Sequence, residues 1–108
     1  MNVLATHASP SMGCRYIATR RKGDNLQVEI DGKVVGIHGY AGPAQFSADG
    51  RSWAYIASND LLWQRFVYRD NQIVFEAPNL YELEFAGEQL ITIGERNRKQ
   101  WVYIDGHD

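Results

Sequence analysis

An internal repeat constrains this chain more than any other feature of its sequence. Three strand-and-turn units, Val28-Glu29-Ile30-Asp31-Gly32, Val67-Tyr68-Arg69-Asp70-Asn71 and Val102-Tyr103-Ile104-Asp105-Gly106, place their aspartates 39 and then 35 residues apart. Upstream, Tyr16-Ile17-Ala18-Thr19 matches Tyr55-Ile56-Ala57-Ser58, and Thr92-Ile93-Gly94 follows at the corresponding place. Downstream, Val34-Val35 matches Ile73-Val74 at the same offset of 39. Periods of about 35–40 residues belong to propeller blades and repeat arrays, where each unit buries its apolar face only against its neighbours. The units span residues 6-38, 43-76 and 80-107 of a single domain.

Residue choice makes the units β. Val, Ile, Thr, Phe, Tyr and Trp supply 31 of the 108 residues, and no stretch carries a sustained helical apolar stripe. Turn pairs such as Asp31-Gly32, Asp49-Gly50, Asp70-Asn71 and Asp105-Gly106 accept the positive φ of tight hairpins. Between the turns lie about ten strand segments: 14–20, 26–31, 33–38, 44–47, 52–58, 63–70, 72–76, 80–85, 89–95 and 99–104. Asn79 with Glu82 resembles a helix capping box. The alternation of Tyr81, Leu83 and Phe85 with Glu82 and Glu84 favours a strand there instead. Trp53, Tyr55 and Ala57 oppose Ala54 and Ile56 across one strand, and Trp101 and Tyr103 oppose Val102 and Ile104 across another. Strands apolar on both faces call for sheets packed on either side. Stacked blades supply that, as would a compact β-sandwich or small barrel.

The segment Phe46-Ser47-Ala48-Asp49-Gly50-Arg51-Ser52-Trp53-Ala54-Tyr55 resembles the F-S-P-D-G-K-x-x-A-Y/F signature of TolB-type, WD-repeat-like β-propeller blades. Ala48 stands where that family has Pro. In the third copy, Leu83-Glu84-Phe85-Ala86-Gly87-Glu88, Ala86 stands at the Asp of the turn, and the first copy, around His7–Cys14, keeps little of the pattern. The resemblance implies an all-β antiparallel meander of about three propeller-like blades and no particular chemistry, since fold does not fix function.

Blade arithmetic then implies a partner. A blade has four strands, a to d, and a closed ring needs at least about four blades. Copy one supplies b to d, copy two all four, and copy three a to c. Residues 2–7 supply either strand a of copy one or the missing strand d of copy three. The expectation is a homodimer or higher ring, its last blade completed by residues 2–7 of a neighbour. A compact monomeric sandwich and a piece of a longer propeller chain are the alternatives.

Charge and cysteine content narrow the remaining classes. Eleven Lys and Arg against thirteen Asp and Glu give a net charge of −2, which argues against a general nucleic-acid binder. No apolar run approaches the roughly 20 residues of a membrane span. The first residues lack the pattern of a secretory signal. The single cysteine, Cys14, excludes an internal disulfide framework and fits a reducing compartment, so cytoplasmic residence is expected.

Candidate chemistry is sparse. Cys14 falls at the strand position of Trp53 and reads as a small buried hydrophobe. His7, His38 and His107 are scattered, without zinc-ligand spacing, and belong in loops or at strand ends. The turn aspartates do not follow a calcium-loop pattern, and no cofactor or metal is expected. No G-x-S-x-G elbow occurs, and Glu82 and Glu84 read as a solvated face. The stretch Gly36-Ile37-His38-Gly39-Tyr40-Ala41-Gly42 reads as a mobile connection between blades. Two basic clusters, Arg20-Arg21-Lys22 and Arg96-Asn97-Arg98-Lys99, occupy the b–c hairpin of copies one and three. Arg20, Arg21, Lys22, Arg96, Arg98 and Lys99 are therefore candidates for an anionic ligand or acidic protein, against the simpler reading of solvated hairpin tips. Copy two has Asn59-Asp60-Leu61-Leu62-Trp63 there, and Leu62 and Trp63, if exposed, would form a partner surface. The expected function is a non-enzymatic binding module for a protein or small molecule. A small oligomeric lectin, stacking Trp and Tyr on sugars, comes next, then a hydrolase whose site converges from different blades.

Overall fold

The computed structural model describes the backbone of residues 3–8 and the whole of residues 15–58 and 64–107. Among these residues the chain is all-β and winds as a pure meander. Strands β1 (Val3–Ala8), β2 (Tyr16–Lys22), β3 (Asn25–Ile30) and β4 (Lys33–His38) form the first antiparallel sheet in chain order. Strands β5 (Tyr40–Phe46), β6 (Trp53–Ser58), β7 (Gln64–Arg69) and β8 (Gln72–Pro78) form the second. The third holds β9 (Leu80–Ala86), β10 (Gln89–Arg96) and β11 (Lys99–Ile104). The all-β antiparallel meander in three blade-like sheets bears out the expectation from sequence, and so does the strand at 80–86; the register, however, sets Tyr16 level with Trp53, where the sequence match sets it level with Tyr55.

The repeat's aspartate explains why each unit closes the same way. Asp31, Asp70 and Asp105 all adopt positive φ (53°, 50° and 50°), followed by Gly32, Asn71 and Gly106, also positive. Each Oδ1 accepts the backbone N–H of the first inner residue opposite: Tyr16 at 3.0 Å, Trp53 at 3.1 Å and Leu90 at 2.9 Å. Each aspartate N–H donates back to that same residue's carbonyl. One side chain thus sets the turn and pins it to the neighbouring strand, combining hairpin and Asx-type bonding. A bulge also recurs on the outer strand, at Val35 of β4 opposite Val28 and Glu29 and at Val74 of β8 opposite Val67 and Tyr68.

Of the two places open to residues 2–7, the structure takes the first. Strand β1 pairs with β2 from Val3↔Arg20 to Ala8↔Tyr16, as strand a of its own chain's first sheet. In the third sheet the Asp105-Gly106 turn is formed, and Ile104 and His107 bridge across it with mutual bonds of 2.7 and 3.0 Å.

Sheet two is the middle layer. Every residue of β6 is buried. Trp53, Tyr55 and Ala57 pack with Ile17, Val28 and Ile30 of sheet one. Ala54 and Ile56 pack with Leu83, Leu90 and Tyr103 of sheet three. Fully burying a Val or Ile contributes about 1.5–3 kcal/mol each, so Ile17, Val28, Ile56 and Val67 anchor the two layers. The two-faced reading of β6 holds; that of β11 holds on one side only, because Tyr103 is buried while Val102 and Ile104 are half exposed.

The stretch from 36 to 42 departs from expectation. It is not a mobile connection: β4 runs through His38, β5 begins at Tyr40, and Gly39 alone forms the bend. Its glycines serve close packing. A Cβ on Gly36 would lie 2.5 Å from His38 Nε2 and 2.7 Å from the Tyr55 hydroxyl.

Candidate functional site

The two seams between sheets are built from equivalent positions filled with different side chains. In the strand register, Trp53 and Tyr55 of β6 correspond to Leu90 and Thr92 of β10, and Tyr68 corresponds to Tyr103. At the bulge of the outer strand, Gly36 corresponds to Phe75, and His38 to Ala77.

Seam one, between sheets one and two, is filled with rings. Trp53 stacks on Tyr55 (5.9 Å, 8°) and Tyr55 on Tyr68 (5.0 Å, 7°). His38 packs against both tyrosines, and its Nε2 lies 3.0 Å from the Tyr55 hydroxyl. Burial raises the Tyr55 phenol well above its ordinary pKa, and Tyr68 beside it adds to the rise, so the phenol stays neutral. His38 and Tyr55 are 6% and 1% exposed, which makes the pair a core feature. At the turn end, Arg15 locks the seam: Nε donates to Asp31 Oδ2 at 2.9 Å and Nη1 to the Gly50 carbonyl at 2.7 Å. That carbonyl belongs to the Asp49-Gly50 turn. There the Arg51 N–H, and then the Ser47 hydroxyl, hold the Asp49 carboxyl below its ordinary pKa.

Seam two, between sheets two and three, is open. Leu90 and Thr92 leave space where seam one holds two rings, and Phe75, tilted against Tyr103 at 4.7 Å, takes back part of it. What remains is a cleft of about 250 Å³. Val67, Val74, Phe75 and Leu90 form apolar walls, and Thr92 lines the interior. Thr92 is 2% exposed, and its Oγ1 finds no hydrogen-bond partner among the described residues. Glu88, Asp105 and Arg69 stand at the same cleft. The Arg69 guanidinium lies over the Phe85 ring at 5.1 Å and reaches Asp70 and Asp105 only at 4.0 Å each.

A second, shallower cleft of about 370 Å³ opens at the opposite end, beside Tyr40, Asn79 and Glu95. Arg65 sits over the Tyr40 ring at 3.9 Å there, with Nε and Nη1 buried and without hydrogen-bond partners among the described residues. The ring face is its counter-charge.

The sequence candidates are dispersed. Arg20 leaves its cluster: it lies within β2, and its Nε is 3.0 Å from Glu29 Oε2. Arg21 and Lys22 are exposed. Arg96 covers Trp101 at 4.0 Å, and Arg98 and Lys99 are exposed at a turn where Asn97 and Arg98 both take positive φ. The two basic hairpins therefore sit on the two outer sheets with sheet two between them. Leu62, Trp63 and Cys14, with the side chain of His7, lie outside the described residues. His38 is at a strand end, as expected, and buried; His107 is exposed. Trp53, Tyr55 and Tyr103, the aromatics between blades, are core residues. Among the described residues no three of His, Cys, Asp and Glu gather in a group fit for a metal ion.

Sequence reasoning misses the seam-two cleft, although a signal for it exists. The repeat aligns Tyr55 with Thr92, and a large residue exchanged for a small one at a core position marks a void. No protein-family model matches the chain, and no curated protein matches it.

Proposed function

We propose that this chain is a non-enzymatic interaction module, a propeller-like unit whose two outward sheet faces join head to tail with those of a second copy. One observation carries the reading: both faces expose apolar side chains, and the two are opposite in charge. On sheet three, Ile91, Ile93, Val102 and Ile104 share the outward side, as the cross-strand pairs require, together with Glu82, Glu84 and Glu95. Val102 and Ile104 are 49% and 46% exposed. Their neighbours in the repeat tell what such positions are for. Ala54, Ile56 and Val67 of sheet two correspond to Ile91, Ile93 and Val102, and are buried completely beneath sheet three.

On sheet one the outward side carries Val34 and Ile37, both about half exposed, beside Arg20, Lys22 and Glu29. The Arg20–Glu29 pair cancels, so Lys22 leaves this face positive while three glutamates make the other negative. Complementary sign favours unlike faces meeting and opposes like faces meeting. Two copies joined at both ends give six sheets in a closed two-fold ring, within the range of known propellers. The TolB-like segment at Phe46–Tyr55 agrees with that architecture.

Sedimentation at micromolar concentration tests the proposal. A dimer or closed higher ring is expected, and the double substitution Val102→Lys with Ile104→Lys yields monomer with an unchanged β spectrum. A well-folded wild-type monomer at that concentration overturns it.

A further inference from the structure

We infer that the seam-two cleft is a binding site for a small phenolic amine, a molecule with one hydroxylated ring and a short chain ending in ammonium. The inference is independent of assembly, because the cleft lies wholly between sheets two and three of one chain.

Its size sets the first limit. A cavity of about 150 Å³ accommodates benzene, so about 250 Å³ holds one ring and a few further atoms. The walls, Val67, Phe75 and Leu90 among them, are apolar, and Phe75 supplies an aromatic surface for ring contact. The repeat shows what occupies such a position. Where seam two has Leu90 and Thr92, seam one holds the indole of Trp53 and the phenol of Tyr55, the phenol hydroxyl bonded to His38. A ring entering from solvent would fill in seam two the space that those two side chains fill in seam one.

The polar atoms fix the rest. Thr92 Oγ1 is buried without a partner among the described residues, and an orphan hydroxyl carries a desolvation cost that a ligand hydroxyl relieves. At the rim, Asp105 uses Oδ1 to hold the Leu90 N–H. Glu88 is exposed. Arg69, the cation among the lining residues, rests over Phe85 and is shared between Asp70 and Asp105 at 4.0 Å each. Among the lining residues two carboxylates, Glu88 and Asp105, stand against one guanidinium, and the surplus favours an ammonium over a carboxylate on the ligand.

Titration calorimetry of the full chain with three probes decides the matter: tyramine, phenethylamine lacking the hydroxyl, and 3-(4-hydroxyphenyl)propionate with the opposite charge. Tyramine is expected to bind saturably, phenethylamine about fivefold more weakly for the lost hydrogen bond, and the carboxylate not at all. Thr92→Val should bring tyramine down to the phenethylamine level and leave phenethylamine unchanged. Leu90→Trp, checked for folding by circular dichroism, should fill the cleft and abolish binding of both amines. Absence of saturable tyramine binding, equal or tighter binding of the carboxylate, or indifference of tyramine to Thr92→Val would each overturn the inference.

Discussion

Seam one and seam two start from the same strand register and the same aspartate-clamped turns, yet they are closed by opposite means. In seam one the bulk comes from the inner strands: Trp53, Tyr55 and Tyr68 stack, and Gly36 on the outer strand is small so that His38 can reach the Tyr55 hydroxyl. In seam two the bulk comes from the outer strand: Phe75 fills where Gly36 left room, and Leu90, Thr92 and Ala77 are the reduced partners. The lock at the turn end differs in the same sense. Arg15 makes close bonds to Asp31 and Gly50, whereas Arg69 stays 4.0 Å from Asp105. A repeat therefore conserves backbone geometry more tightly than packing. Exchanging large for small across equivalent positions turns one seam into core and the other into a site.

Truncating the matched pair Tyr55 and Thr92 separates the two seams most strongly. Tyr55→Ala should destabilise the fold by about 3–5 kcal/mol, because the ring is fully buried and stacked on both sides. Thr92→Ala, at the same register, should cost no more than about 1 kcal/mol, since the cleft already exists beside it. Urea unfolding of the two variants reads the difference directly; equal losses would mean that the seams are packed alike.

Gly36→Ala tests the compensation within seam one. The added Cβ meets His38 Nε2 and the Tyr55 hydroxyl at 2.5 and 2.7 Å, so the pair must part or the strand must shift. A loss of about 1–3 kcal/mol is expected. Combining it with Tyr55→Phe should recover part of that loss, measured as a double-mutant coupling.

The contrast between the seams also marks which features the sequence makes legible. The turn aspartates, the meander and the two apolar faces of β6 follow from Asp-Gly spacing and from Trp53-Ala54-Tyr55-Ile56-Ala57, because turn chemistry and strand alternation are local. The seams do not follow in this way, because they depend on which side chains meet across sheets. The Gly36–Gly42 stretch reads as loose for its glycines, whereas Gly36 is small to admit a neighbour 19 residues away in sequence, Tyr55. Arg20 reads as a hairpin-tip cation, whereas strand pairing sets Glu29 beside it. In the sequence Thr92 is only a weak third copy of Tyr55, and its importance is the ring it does not have.

Alkaline pH separates the seams by a smaller and gradual effect. The buried Tyr55 phenol has its pKa raised above the ordinary 10.0, so its folded form holds the proton longer than the unfolded chain does. Its contribution is complete below that ordinary value. It then falls as pH rises, by at most about 1.4 kcal/mol per pH unit, until the folded phenol also ionises. Tyr55→Phe should flatten this part of the stability profile, read as the difference between the two proteins' denaturation midpoints above pH 10. An unchanged slope would mean that the phenol is open to solvent when folded.

The smallest expected effect is the most specific to seam two. Thr92→Val keeps the shape of the side chain and removes a hydroxyl that has no partner among the described residues. Replacing an orphaned polar atom with a methyl should leave stability unchanged or raise it by about 0.5–1 kcal/mol, a gain of a few degrees in midpoint for a domain of this size. The parallel removal in seam one, Tyr55→Phe, should lower stability by a similar amount at neutral pH, because the Tyr55 hydroxyl is bonded to His38. Opposite signs for two hydroxyl deletions at one register would establish that seam one uses its polar atom to hold the fold and that seam two keeps its own unspent. Equal losses would place a structural partner on Thr92 and take away the reason for a ligand there.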